Sequence, residues 1–220
     1  PREGIAQVLL GGLLADQVGD LLATSDLLGT GWWAADAAAV RPGSTVVVVG
    51  DGAVGLMGVL AAREMGAERI IALSRHETRQ KLARDYGATD IVAERGAEGL
   101  ARVMDLTKGV GAHSVLECVG TAEAMDQALA WCRPGGTVGF VGVPHGIVLT
   151  GEQLFFGQRR MLGGPAPVRR YMPRLMERVL NGELRPGKVF DLDLPLSQVA
   201  DGYKAMDERR AIKVLLRVDA

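Results

Sequence analysis

A chain of 220 residues, 48% hydrophobic and carrying 30 glycines, is long enough for one large α/β domain or one domain with an appendage. A net charge of −1, with charges scattered along the chain, excludes a basic stripe for nucleic acid or anionic lipid. No apolar run reaches the roughly 18 residues of a membrane span. No secretory signal is visible, and the two cysteines, Cys118 and Cys132, make neither a disulfide framework nor a metal spacing, so a cytoplasmic location is expected.

Strand and helix signals alternate from residue 45 to residue 144. "TVVVVG" (45–50) is a continuous β-branched run, the pattern of a strand covered on both faces. "AVGLMGVLAAREMG" (53–66) predicts a helix ended by Gly66. A second strand follows at 69–74, a helix over 76–87 and a short strand at 89–93. "GAEGLARVMDLTKG" (96–109) is amphipathic. Strand 113–120, helix 122–133 and strand 136–144 complete the series. Beyond it come a strand at 160–164, a helix over 169–182 and a closing strand, helix and strand. Strands alternating with helices imply βαβ crossovers, and right-handed crossovers close most simply as a Rossmann-type α/β fold: a doubly wound parallel sheet with helices on both faces. The expected division is an unassigned segment 1–24, a dinucleotide-binding domain 25–187 and a C-terminal strand-helix-strand segment 188–220.

Gly50-Asp51-Gly52-Ala53-Val54-Gly55 is a G-x-G-x-x-G between a buried strand and a helix, the context that gives the pattern meaning. Gly50 suits the tight turn, Gly52 lets backbone approach a diphosphate, and Gly55 lets the helix pack against the sheet. The helix start at Ala53 and Val54 then offers N–H groups to phosphate.

In NAD-binding versions of this turn an acid ends the second strand and meets the ribose 2′-hydroxyl. Here Ser74 and Arg75 occupy that place, with Arg79 one helical turn on and His76 between. A hydroxyl and a guanidinium suit a 2′-phosphate, so NADP(H) is expected over NAD(H). A methyltransferase also uses a glycine-rich turn, but there an acid meets the ribose. The alternative for Arg75 and Arg79 is a solvated helix start.

Four stretches, "SDLLGTGWWAA" (25–35), 41–79, "YGATDIV" (86–92) and "LECVG…RPGGTVGFVGVP" (116–144), with the tail 194–218, resemble the medium-chain dehydrogenase/reductase family in its zinc-containing, NADP-preferring alcohol dehydrogenase branch. The resemblance implies transfer of hydride between nicotinamide and an alcohol, aldehyde or ketone. It also implies a homo-oligomer, dimer or tetramer. Family members begin with a GroES-like catalytic domain bearing zinc ligands; its Gly-His-Glu is not found in this sequence. The chain is therefore expected to bind cofactor but to be catalytically incomplete, with zinc belonging to the complete enzyme. By resemblance Asp26 is a zinc ligand, although after Ser25 it also suits a helix cap. Thr30 resembles a threonine beside the nicotinamide. Val119 and Gly120 end the fourth strand, at the carboxyl edge where ligands of open α/β sheets sit; Val141, Gly142 and Val143 resemble the fifth-strand end whose backbone bonds the carboxamide, and Lys213 a basic residue that reaches the diphosphate. Ordinary packing, a turn or a solvated side chain would explain each as well. Trp32 and Trp33 suit core packing or a pocket wall. The functional alternatives are a zinc-independent NADPH quinone or enoyl reductase domain, and a non-catalytic NADP(H)-binding module.

Overall fold

The computed structural model describes residues 17–218. Most of the unassigned segment 1–24 lies outside the described residues. The described residues divide into two compact units: residues 27–168, and residues 17–26 together with 169–218.

The first of these units is built on a six-stranded sheet. Its elements run α2 (Leu27–Ala37), β1 (Thr45–Val49), α3 (Ala53–Glu64), β2 (Arg69–Leu73), α4 (Glu77–Tyr86), β3 (Asp90–Val92), α5 (Gly96–Leu106), β4 (Ala112–Glu117), α6 (Ala122–Trp131), β5 (Cys132–Phe140), α7 (Gly151–Gly157) and β6 (Arg160–Gly163). The preceding α1 (Val18–Thr24) belongs to the other unit. The strand order is β3-β2-β1-β4-β5-β6, and every pairing is parallel. This is the doubly wound order, which reverses direction between β1 and β4 and opens a crevice at their carboxyl ends.

Burial explains the near-continuous apolar strands. Val47 and Val49 face a core formed with Val115, Met125, Leu129 and Trp131, the side covered by α5 and α6. Alternate residues of the same strand face α2 and α3, where Leu28, Leu56, Met57 and Leu60 are buried. Each such aliphatic side chain contributes about 1.5–3 kcal/mol relative to exposure. α2 lies close to its neighbours because it carries glycine: a Cβ on Gly31 would overlap the backbone of Met57 and Gly58. Gly87, with φ +114°, ends α4 in the left-handed region.

Two local expectations shift. β5 starts at Cys132, directly from the end of α6, and ends at Phe140, four residues earlier on each side than its sequence suggests. Its register with β4 pairs Val138 with Val115, while the backbone N–H groups of Val141 and Gly142 turn to the carbonyl oxygen of Glu117. α7 is an element that the hydrophobic pattern does not announce. Thr150 caps it, with Gln153 returning the bond, a reciprocal arrangement readable as T-x-x-Q.

In the other unit, α8 (Val168–Leu180, whose first residue is assigned to the sheet unit), a 3-10 turn (Pro186–Val189), β7 (Phe190–Pro195), α9 (Val199–Asp207) and β8 (Lys213–Arg217) follow. β7 and β8 pair in parallel. Asp20 of α1 is buried, accepting from the Gly187 N–H at 2.6 Å and facing Arg185 at 3.4 Å, which joins the early segment to the late one. No described helix is long and apolar enough to cross a membrane.

Candidate cofactor-binding site

The glycine-rich turn stands at the carboxyl end of β1. Gly50 adopts φ +108°, closed to ordinary side chains. A Cβ on Gly50 would meet the Val119 side chain at 2.9 Å, which places the turn against the chain leaving β4, at the sheet's reversal point. A Cβ on Gly55 would overlap the Gly50 carbonyl oxygen, so this glycine is required by the turn itself. Gly52 differs: nothing lies within 4 Å of its Cβ direction, and its φ of −75° is ordinary. Its lack of a side chain leaves space that the fold does not use.

α3 begins immediately beyond it. Gly52 is its N-cap and supplies no side-chain hydrogen bond, and its first turn contains no acid. The leading N–H groups, Ala53 and Val54 among them, thus keep their hydrogen-bonding capacity and the positive end of the helix dipole. An open cradle before an uncapped helix fits a diphosphate on the structure's own geometry.

Beside the cradle lies a cluster that the sequence motif does not single out. Asp51, the second residue of the turn, accepts a hydrogen bond from the Ser74 hydroxyl at 2.7 Å and forms an ion pair with Arg79 at 3.2 Å. Arg79 also reaches the Asp51 carbonyl oxygen at 3.4 Å. Ser74 is fully buried, and the Asp51 and Arg79 side chains are only 11% and 8% exposed. Arg75 is exposed and His76 half-buried. Three of the residues expected around a 2′-phosphate therefore separate: Ser74 and Arg79 turn inward to Asp51, and Arg75 faces solvent. Asp51 is silent in the sequence because its position in the motif accepts many residues, and its partners lie 23 and 28 positions away.

On the other side of the crevice, Glu117 ends β4 as a fully buried acid. One carboxylate oxygen accepts from the N–H groups of Val119 and Gly120, each at 2.7 Å. The other has no hydrogen-bond partner among the described residues, and a Cβ on Gly142 would come within 2.7 Å of it. Gly120 has φ +93°, and a Cβ there would overlap the Val143 carbonyl oxygen. Glu117 and two glycines thus weld the ends of β4 and β5 together, leaving Val119 and Val143 45% and 68% exposed. "LECVG" contains Glu117, but its spacing does not disclose a buried carboxylate.

Neither cysteine is an activated thiol. Burial, reinforced by the Glu117 carboxylate, pushes the Cys118 thiol up, and burial pushes Cys132 up to about 11 against the opposing pull of Arg159 and Arg133.

The remaining expected positions spread over both units. Thr30 is half-buried on α2, where Trp32 is buried and the Trp33 indole donates to the Gly164 carbonyl oxygen at 3.2 Å. Asp26 is exposed and belongs to the other unit, as does Lys213, half-buried at the start of β8. Among the described residues no three His, Cys, Asp or Glu side chains come together. A single carboxylate does not fit a zinc site, which needs three or four ligands.

A family model described as zinc-binding dehydrogenase matches residues 53–181. A probable zinc-binding alcohol dehydrogenase of Mycobacterium tuberculosis is 37% identical over 205 residues, covering 90% of this chain and 52% of that protein. The NADP-dependent isopropanol dehydrogenase of Thermoanaerobacter brockii is 35% identical over 170 residues, covering 74% and 48%. Among solved structures, an alcohol dehydrogenase from Thermus sp. ATN1 superposes with a TM-score of 0.84 at 32% identity, covering 91% of this chain and 60% of that one. The chain spans about half the length of the curated relatives it matches.

Proposed function

Because the chain belongs to the zinc-binding dehydrogenase family, we propose that it is the NADP(H)-binding part of an enzyme that moves hydride between nicotinamide and an alcohol or carbonyl compound. The observation that carries this reading is the open turn at Gly52, set before the uncapped start of α3 with the exposed Arg75 just past the end of neighbouring β2.

Each part of the crevice has a task in it. The first N–H groups of α3 bind the diphosphate, because they lack internal partners and carry the dipole's positive end. Arg75 binds the 2′-phosphate through paired donors. Val119 and Val143 give the nicotinamide ring an apolar wall, and Gly120 keeps that wall close to β5. The Val141 and Gly142 N–H groups are spent on the Glu117 carbonyl, so Val143 is the backbone assigned to the carboxamide. Thr30 completes the set, toward the ring. The hydride chemistry itself is the nicotinamide's; the chain supplies position and electrostatics.

The family's zinc would belong to the complete enzyme, since Asp26 alone does not make a site. The two free thiols accord with a cytoplasmic setting. A homo-oligomer is the expected assembly.

The test is a fluorescence titration of the 220-residue chain with NADPH and NADH beside an Arg75→Asp variant. NADPH should bind tighter to the wild type, and the variant should lose at least about tenfold in NADPH affinity while NADH is little altered. Equal affinities in the wild type would remove the NADP(H) assignment. Robust zinc-dependent alcohol oxidation by this chain alone would remove its incompleteness.

A further inference from the structure

We infer that Asp51 is a specificity-tuning residue, which holds Arg79 and Ser74 away from the 2′-phosphate and leaves Arg75 as the arm that recognises it. The inference rests on the NADP(H) reading above and refines it.

Three observations carry it. First, Asp51 sits inside the diphosphate turn, yet its side chain points to the chain beyond β2: one carboxylate oxygen takes the Ser74 hydroxyl at 2.7 Å and the other the Arg79 guanidinium at 3.2 Å. Both oxygens are thereby engaged. Second, the partners are packed in place. Ser74 is fully buried, its carbonyl accepts from the Gln80 amide at 2.9 Å, and its N–H donates to the Val92 carbonyl oxygen at 3.0 Å. Arg79 is tied to both the side chain and the backbone of Asp51. Third, the adjoining Arg75 is exposed, so it can turn to a ligand without leaving a buried partner.

Charge decides the consequence. Asp51 and Arg79 cancel, so these three side chains together present a single net positive charge, that of Arg75. A 2′-phosphate approaching them meets one solvent-facing guanidinium beside a neutral pair. Recruiting Arg79 would strand a buried carboxylate next to an incoming dianion, and both effects oppose it. NADH brings no such phosphate, so its binding should be almost indifferent to the pair. The pair thus limits NADP(H) affinity as it braces the turn.

Removing the Asp51 charge should tighten binding, although the side chain is only 11% exposed. Asp51→Asn removes the carboxylate that neutralises Arg79 and raises the summed charge of these three side chains from +1 to +2. NADPH affinity should rise at least about fivefold at low ionic strength and less at 0.5 M salt, where screening is strong, with NADH within about twofold. The double variant Asp51→Asn with Arg79→Met removes both charges together and strands neither. It should bind NADPH within about threefold of wild type, because no buried charge is left without its partner. Should the single variant fail to fold, the double variant still decides. Affinities read by titration and melting temperatures read without ligand separate binding from bracing.

Unchanged or weaker NADPH binding in Asp51→Asn would overturn the inference. So would a loss of tenfold or more in the double variant, which would make Arg79 a phosphate ligand. Either result, alongside a wild type that prefers NADPH and an Arg75→Asp variant that does not, leaves the NADP(H) reading standing. A wild type without that preference takes both down.

Discussion

The carbonyl oxygen of Gly50 occupies the space that a Cβ on Gly55 would need. The two glycines are therefore one steric unit: the first bends the strand's exit, and the second lets the helix return under it. Gly55→Ala must push the turn or the helix aside. The overpacking should cost about 1–3 kcal/mol in urea unfolding, and NADPH binding should fall with it. An unchanged unfolding midpoint would contradict this packing.

Gly52 answers a different demand, although it belongs to the same motif. Its φ of −75° accepts alanine, and a Cβ there would touch nothing within 4 Å. Gly52→Ala should unfold within about 0.5 kcal/mol of wild type, as substitutions free of strain and packing do. Its NADPH affinity should nevertheless drop at least about tenfold, because the methyl stands where backbone must approach the diphosphate. Full affinity in a stable Gly52→Ala protein would refute the cradle.

Glu117 should be a stability residue for the far wall of the crevice. Glu117→Gln preserves shape and one carbonyl acceptor for Val119 and Gly120, but removes the charge that strengthens both bonds. The lost charge assistance should remove about 1–3 kcal/mol. Chemical denaturation measures this directly, and a neutral result would show that the carboxylate is dispensable.

At the opposite, amino-terminal edge of the sheet, the His113 Nδ1 accepts from the Thr45 N–H at 3.0 Å. Burial, then the neighbouring Arg133 charge, lowers its pKa below the ordinary value of 6.5. The unfolded chain therefore binds this proton more readily than the native one. The contribution is complete above pH 6.5 and is lost as pH falls through the depressed native value. Unfolding midpoints between about pH 7.5 and about pH 5 should decline in the wild type, and less steeply in His113→Gln, whose amide oxygen can accept the same bond. Parallel profiles would exclude His113 as a source of the decline.

Most of the sheet is legible along the chain because its signals are local. A β-branched run such as "TVVVV" declares a strand covered on both faces, and Gly66 and Gly87 end helices through their own backbone freedom. The same locality makes Gly50, Gly52 and Gly55 readable as a cradle. Even α7 leaves a trace, in the Thr150 and Gln153 of its capping box, though a seven-residue helix with no buried residues carries no periodicity to notice.

The order of residues alone dictates the parallel α/β architecture and the presence of a glycine-rich turn between β1 and α3, since steric preference and hydrophobic period act over a few residues. The roles of the nearby polar groups are settled only in the folded chain. Ser74, Arg75 and Arg79 read alike as phosphate ligands along the sequence, yet folding buries two of them against Asp51 and leaves one outside. Glu117 likewise gains its partners only when β4 and β5 come side by side. A charge is satisfied by whatever the fold brings within about 3 Å, and sequence separation carries no record of that distance.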